Sequence, residues 1–523
     1  MGDYVNPGFD KFEMSLNSDI YVDKSELIGL TNRLIRTESR FVCISRPRRF
    51  GKTMAANMLA AYYGSEPCDL FAQLKIKMHP SYEKHLNKYH VIQINVQEFL
   101  SKASNITELL NSLQGKVTRE LMRDFSDVDY IEPEDFNQVM KDVYRATKKP
   151  FIILIDEWDC LFREYENDVD AQKKYLDFLR LWLKDQAYVG LAYMTGILPI
   201  KKYGSHSALN MFNEYSMIRP YRFLEFFGFT EGEVKALTAQ YGMDFEDIKK
   251  WYNGYFVDLD RPIYNPRSVK YCLLEESFDS YWNNTETYES LKNYIKLDFD
   301  GLQEKVTTLV AGDSVEVNPN KFSNDMTTFN SYDDILTLLV HLGYLTYNFA
   351  SKTVSIPNNE VKIEFINSIE DLAGWETVAR AVKKSRRLLQ GIWDKDAEFV
   401  ARGIEQVHLE NTSILQYNDE NSLSCVIGLA LYSSSEYYTT VRELPTGKGF
   451  SDIVFIPRKN YPNKPAIVIE LKWDNSAKGA INQIKERNYP AGLSEYQGNM
   501  LLVGVNYDKM TKKHECVIEE WEV

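Results

Sequence analysis

Residues 40–45, RFVCIS, read as a short β-strand, and they run through RPRRFGKTM directly into the helical pattern AANMLAAYYG. No other stretch limits the fold so tightly. A strand that enters a helix through a tight loop is half of a parallel crossover, so the chain should hold a parallel sheet with helices on its faces. Gly64 is placed to close the helix, and Gly51, Lys52 and Thr53 open it. Loop N–H groups and a helix N-terminus can cradle phosphates, with Lys52 reaching the β- and γ-phosphates and Thr53 a Mg2+ ion. Arg49 and Phe50 complete the expected nucleotide-binding loop. The full pattern is GxxxxGK[ST], and here Arg46 stands in place of its first glycine. The competing reading is an exposed basic turn ahead of a helix.

A second signal lies downstream in KPFIILIDEWD, residues 149–159. Its apolar run suits a buried parallel strand. Ligands of open α/β sheets bind outside the carboxyl ends of strands, where Asp156 would hold Mg2+, directly or through water, and Glu157 would orient or activate the attacking water. HVIQINV (90–96) and VGLAYMTGI (189–197) are two further strand candidates, and Thr195 ends the second where a polar γ-phosphate sensor is expected. Lys201, Lys202, Arg219 and Arg222 are basic candidates for the same phosphate, though as single residues they read first as surface charges. Thr230 with Glu233 three residues on forms a capping box. WYNGYFVDLDRPIYNPRSV, dense in aromatic and turn-forming residues, reads as a packed structural turn. DDILTLLVHLGYLTY, ending its helix at Gly343, and the strand-like KTVSIPNNEV make a helix-plus-hairpin module of winged-helix type, expected to pack on the sheet rather than bind DNA. His341 within that helix reads as a core residue. The basic run 383–387 reads as a solvated helix face.

Near the C-terminus, SDIVFIP and AIVIELKW are two short apolar strands that carry Asp452, Glu470 and Lys472. Residues two apart on a strand share a face, so Val468, Glu470 and Lys472 point one way. Charges amid an apolar run are expensive unless paired or used. Two close carboxylates suit a hard divalent cation, and a neighbouring Lys can position a water or offset developing phosphate charge. The competing reading is a Glu470–Lys472 surface pair on a half-exposed sheet. The flanking pattern, a helix from YNDENSLSCVIGLALYSSS, three strands, the helix AKGAINQIKERNYP and the strand NMLLVGVNY, completes a mixed α/β domain.

At 523 residues the chain has room for about three domains. Its net charge of −14 argues against a surface that grips polyanions throughout, though not against a local basic groove. The six cysteines are scattered without a CxxC pair, which fits a reduced, cytoplasmic protein and no zinc site. No run approaches the ~20 apolar residues that span a bilayer. The start MGDYVNPGFDKFEMS lacks a basic segment followed by an apolar core, so no secretion signal is expected. Asn6 stands where a myristoylation motif needs Ser or Thr.

RFVCISRPRRFGKTM, FIILIDEWD, MTGI, FFGFTEGEV, WYNGYFVDLDRPIYNPRSV, YWNNT and HLGYLT…IPNNEV occur in one consistent order over almost the whole chain. Together they resemble AAA-ATPase-like proteins whose C-terminus is a PD-(D/E)XK nuclease-like domain. The resemblance implies an α/β multidomain chain. Its parts are a P-loop ATPase domain (1–240), a helical, winged-helix-like middle region (241–400) and a restriction-endonuclease-like α/β domain (401–523). It puts Asp452, Glu470 and Lys472 at the D…ExK positions. Glu420 matches the acid of the first helix, Gln483 the polar residue after ExK, and Tyr489 a recurring aromatic. Asp452 and Glu470 would then hold one or two Mg2+, or Mn2+, with the Leu471 carbonyl as a further candidate ligand. Glu420 and Gln483 would be auxiliary, and ATP with its own Mg2+ would sit at the N-terminal loop. Nucleic acid is the implied partner, DNA ahead of RNA, with homo-oligomer formation left open. The departures are Arg46 and Trp158, where the family commonly has Tyr. A regulatory ATPase with an inactive nuclease-like domain, and a scaffold that binds no nucleotide, both stay open on sequence alone.

Overall fold

The computed structural model describes residues 2–67, 69–200, 209–255, 261–282, 287–297, 301–323, 329–370, 372–411, 420–446, 449–458, 461–487, 493, 496 and 498–521; at 287–290, 420–422, 443, 445, 446, 449 and 450 it describes the backbone alone. Contacts divide the chain into two compact units, Met1–Asn284 with Glu316–Val361, and Thr285–Val315 with Lys362–Val523.

The first unit is built on a five-stranded sheet. Its elements are β1 (Phe41–Ser45), α1 (Lys52–Tyr63), β2 (His90–Asn95), β3 (Phe151–Asp156), α2 (Cys160–Glu164), β4 (Val189–Gly196) and β5 (Asn213–Tyr215). The strand order is β2-β3-β4-β1-β5, and every pairing is parallel. Every residue of β1, β3 and β4 is buried, which explains why these strands read as unbroken apolar runs rather than alternating ones. Val42 and Ile44 of β1 share a core with Ala55, Met58 and Leu59 of α1. β4 lies between β1 and β3, with Ile44 beside Thr195 and Ile155 beside Met194. The carboxyl ends of three adjacent strands therefore present Ser45, Thr195 and Asp156 together. The outer edge of β2 is covered by the N-terminal segment, where Val5 bridges Ile92 and the Glu120 carboxylate accepts the N–H groups of Tyr4 and Val5 at 2.9 and 2.8 Å. Covering an edge removes a template for unwanted strand pairing. Gly64 does follow α1, but with φ −56° it does not use a left-handed conformation.

The same unit holds α3 (Glu231–Tyr241), α4 (Pro266–Glu275), α5 (Tyr332–Leu342) and the antiparallel hairpin β6 (Thr346–Asn348) and β7 (Thr353–Ser355). The expected capping box of α3 is formed, and its Glu233 also accepts a 2.6 Å ion pair from Lys24. The helix–hairpin module packs on the phosphate-type loop. Tyr255 donates its hydroxyl to the Gly343 carbonyl at 3.0 Å, and its ring meets Phe50 edge-on at 5.2 Å. Three stretches that look unrelated in sequence meet at the buried Glu360, whose Oε1 accepts the Ser268 hydroxyl and the N–H groups of Tyr281 and Trp282 at 2.8–2.9 Å. His341 is a core residue stacked on Phe322, and burial pushes its pKa down to about 3.

The second unit carries α6 (Glu420–Ala430), β8 (Tyr438–Thr446), β9 (Gly449–Pro457), β10 (Ala466–Trp473), α7 (Ala477–Glu486), β11 (Met500–Asp508) and β12 (Lys513–Glu520). The sheet runs β8-β9-β10-β11-β12, with β10 and β11 parallel and the other neighbours antiparallel. β12 is an element the sequence reading omits. It is a partly solvated edge strand with four charged residues among its eight, Lys513, Glu515, Glu519 and Glu520, so it shows no long apolar run. In the basic run, Lys383, Lys384 and Arg386 pair with Glu370, Glu410 and Glu436 at 3.3–3.6 Å. These partly exposed pairs make a solvated, largely neutralised face. Among the described residues no helix is long and apolar enough to cross a membrane.

Candidate functional site

In the first unit the loop after β1 uses two left-handed residues, Arg49 (φ 72°) and Gly51 (φ 87°). Only glycine adopts that region without steric cost, and Gly51 sits where the loop turns into α1. Arg46 has no such conformation, so its backbone does not need the glycine of the full pattern. Its side chain belongs to the core: Nη1 donates to the carbonyls of Ser45 and Tyr215 at 2.9 and 2.8 Å, and the guanidinium lies 5.5 Å over the Phe227 ring. Burial lowers its pKa to about 9. Phe50 likewise turns its ring inward onto Tyr255, leaving only its backbone for a ligand.

Lys52 is buried and donates to the carbonyls of Arg46 and Pro47, each at 3.0 Å. Burial lowers its pKa, while Glu157 and Asp156 oppose the shift. The Asp156 carboxylate joins the strand ends. Thr53 donates to Oδ2 at 2.6 Å, and Thr195 donates to Oδ1 from the neighbouring strand. Glu157 follows in a left-handed conformation, φ 52°, and accepts a 2.5 Å ion pair from Arg163. Thr53, Asp156, Glu157, Lys52 and Thr195 thus converge at one end of the sheet. Lys201 and Lys202 lie outside the described residues. Arg222 donates to the Tyr215 hydroxyl at 2.9 Å and lies over the rings of Tyr215 and Phe223, a structural placement.

In the second unit the register Ile453 with Ile469 continues so that Asp452 lies opposite Glu470. Val468, two residues before Glu470, packs with Ile481 and Ile484 of α7. The face that begins as core under α7 therefore ends in charge. Gly504 permits this approach, because a Cβ there would lie 2.2 Å from the Ala477 carbonyl oxygen. Gln483 of α7 and Lys472 both donate to Glu470 Oε1, the lysine at 3.1 Å. Asp452 Oδ2 accepts the Leu471 N–H at 2.6 Å. Glu470 is 1% exposed, and its Oε2 is buried without a hydrogen-bond partner among the described residues. Burial, then the Asp452 charge, raises its pKa to about 7, with Lys472 opposing. A buried carboxylate oxygen with no donor beside a second acid is a fitting ligand for a divalent cation. Among the described residues no cluster of three or more His, Cys, Asp and Glu forms a metal site. The Glu420 side chain and Tyr489 lie outside the described residues.

Residues 8–205 match the family model of a predicted AAA-ATPase, and residues 418–521 match that of the PD-(D/E)XK nuclease superfamily. The chain joins an AAA-ATPase-like domain to a PD-(D/E)XK nuclease superfamily domain. An uncharacterized protein from the vnfD 5' region of Azotobacter chroococcum mcd 1 is 27% identical over 279 residues, 51% of each chain. The alignment thus spans about half the length of that curated relative. Among solved structures, the Aeropyrum pernix ORC2 protein in ADPNP-ADP complexes aligns with TM-score 0.30 and 10% identity over 68% of this chain and 96% of its own. The Aeropyrum pernix ORC1 protein in complex with DNA aligns with TM-score 0.24 and 13% identity over 71% and 98%.

The first unit also holds a basic residue that sequence reasoning missed. Arg267 lies at the start of α4, with its guanidinium 4.8 Å over the Tyr271 ring and its Nε on the Tyr281 carbonyl at 3.0 Å. Partial burial lowers the Arg49 pKa, and the charges of Arg267 and Arg48 lower it further. Cations are therefore gathered at the loop from a segment that reads as a structural turn. The available signal was an Arg in the first turn of a helix, where the macrodipole disfavours positive charge.

Proposed function

We propose that this chain is an ATP-binding and ATP-hydrolysing protein whose C-terminal domain cleaves phosphodiester bonds, with DNA as substrate ahead of RNA. The observation that carries the nuclease reading is the buried, donor-less Oε2 of Glu470, opposite Asp452 and beside Lys472 and Gln483. Asp452 and Glu470 would hold Mg2+ or Mn2+. A cation there would supply an activated water and offset charge on the phosphorus centre. Lys472 orients the water or the scissile phosphate, and Gln483 fixes the Glu470 carboxylate so that its second oxygen faces the site. At the other site Lys52 and loop N–H groups would hold the β- and γ-phosphates, Thr53 and Asp156 a Mg2+ ion, and Thr195 the γ-phosphate. Glu157 would orient or activate the water that attacks it.

The test is cleavage of single- and double-stranded DNA and RNA in Mg2+ or Mn2+, with and without ATP. The wild type should cut DNA, and Lys472→Ala should lose cutting while still binding ATP. Undiminished cutting by Lys472→Ala would remove the assignment of this site, and equal ATP affinity in wild type and Lys52→Ala would remove the nucleotide assignment. A second reading, a PD-(D/E)XK domain that binds without cutting, draws on the double use of Glu470 Oε1 by Lys472 and Gln483. Stable DNA binding without product in either metal supports it.

A further inference from the structure

The Glu157 carboxylate is engaged by one residue with no role in the reading above. Arg163 of α2 donates to Glu157 Oε2 at 2.5 Å, and its Nε lies 3.3 Å from Asp159 Oδ2. Its side chain is 12% exposed and that of Asp159 is fully buried. Burial works against the Arg163 charge, but Asp159 and then Glu157 outweigh it, so its pKa lies above the ordinary value. Asp159 Oδ2 in turn accepts the N–H groups of Ile197 and Leu198 at 3.0 and 2.8 Å. Those two residues directly follow the Thr195–Gly196 end of β4. Hydrogen bonds from Ile197 and Leu198 to Asp159, an ion pair from Asp159 to Arg163 and a hydrogen bond from Arg163 to Glu157 thus link the strand end that carries Thr195 to the Glu157 carboxylate.

We propose that Arg163 is a positioning residue that restrains ATP hydrolysis by holding the Glu157 carboxylate in an ion pair. Movement at Thr195 releases it through Ile197, Leu198 and Asp159. This rests on the reading of Glu157 as the group that orients or activates the attacking water. In that reaction the water oxygen bonds to the γ-phosphorus as the bond to the β,γ-bridging oxygen breaks, and Glu157 takes the water proton. The ion pair on Oε2 fixes the orientation of the Glu157 carboxylate, so the group must turn away from Arg163 to meet the water along an acceptor direction. The left-handed backbone of Glu157 is strained for a residue with a side chain, which favours its departure from this conformation once the pair opens.

The experiment is steady-state phosphate release by the full chain as wild type, Arg163→Ala and Arg163→Lys, with binding of a fluorescent ATP analogue measured in parallel. Arg163→Ala should raise kcat about 10-fold, equivalent to ~1.4 kcal/mol of barrier, with KM unchanged. Arg163→Lys, which keeps a cation within reach of Glu157, should return kcat towards wild type. Analogue binding by Arg163→Ala shows that the site still folds. If Arg163→Ala binds the analogue but turns over no faster than wild type, the restraint is overturned while the nucleotide assignment stands. If the wild type does not bind the analogue, the nucleotide assignment fails and the restraint with it.

Discussion

Replacing Glu470 with Gln tests the electrostatics of the C-terminal site without requiring the substrate to be known. The carboxyl is raised from 4.5 to about 7, first by burial and then by Asp452. Between those two values the folded protein binds more proton than the unfolded chain, so this group makes stability fall as pH rises through that window. At 1.36 kcal/mol per pKa unit the penalty is about 3 kcal/mol at pH 8 and under about 1 kcal/mol at pH 5. Gln keeps the size and can accept the same donors from Lys472 and Gln483, but it carries no charge. Glu470→Gln should therefore gain about 2 kcal/mol on wild type between pH 5 and pH 8. Urea unfolding of the full chain in EDTA at the two pH values, read on the transition of the C-terminal unit, measures the difference. Titratable groups common to both proteins cancel in the comparison. Adding Mg2+ at pH 8 should then stabilise the wild type and leave Glu470→Gln unmoved, because a ligand stabilises only the state that binds it. A difference that does not change with pH, or a Gln variant that gains most at pH 5, would refute the account of Glu470 as a buried, acid-flanked carboxylate.

Three other outcomes are expected. Arg267→Ala should weaken ATP binding about 10-fold, or ~1.4 kcal/mol, in an equilibrium fluorescence titration, with DNA cleavage in the absence of ATP unchanged. Gly504→Ala places a Cβ 2.2 Å from the Ala477 carbonyl oxygen; displacing α7 should cost about 3 kcal/mol in urea unfolding and reduce cleavage with Gln483. Gly51→Ala, at φ 87°, should cost about 1–2 kcal/mol in thermal unfolding and weaken ATP binding, since the loop must distort to accept a side chain.

Much of this architecture is legible in the sequence because burial writes itself into composition. β1, β3 and β4 are buried throughout, and Asp156 and Thr195 are the polar residues that end two such runs. The same holds for Glu470, a charge inside AIVIELKW. What the sequence conceals is of two kinds. β12 is half-solvated and rich in charge, so it resembles loop. Glu360 and, through Tyr281, Arg267 act through contacts with distant segments, whereas Arg163 pairs with acids only four and six residues before it, a spacing that also suits a solvated helix face. Arg46 shows the opposite error. It looks like a defect in a glycine-rich loop, yet its backbone is not left-handed and its guanidinium serves the core.

The two sites share an energetic design. In each, the groups assigned to a ligand already bond to one another: Lys52 to the carbonyls of its own loop, Thr53 and Thr195 to Asp156, Lys472 and Gln483 to Glu470. A phosphate or a cation must exchange these bonds for its own, so only the surplus appears as affinity. For Lys52 the exchange is favourable, because neutral carbonyls are weaker partners for an ammonium than phosphate oxygens are. For Glu470 it is conditional. Its Oε2 has no donor to give up, but with a pKa of about 7 a cation must displace a proton from half of the molecules at neutral pH. Metal affinity, and with it any cleavage, should therefore rise about tenfold per pH unit below pH 7 and level off above it, whereas ATP affinity set by Lys52 should not follow that profile. Two different pH dependences in one chain, measured on the same preparation, would separate the two sites; a shared profile would mean that the Glu470 proton is not the one that cleavage reports.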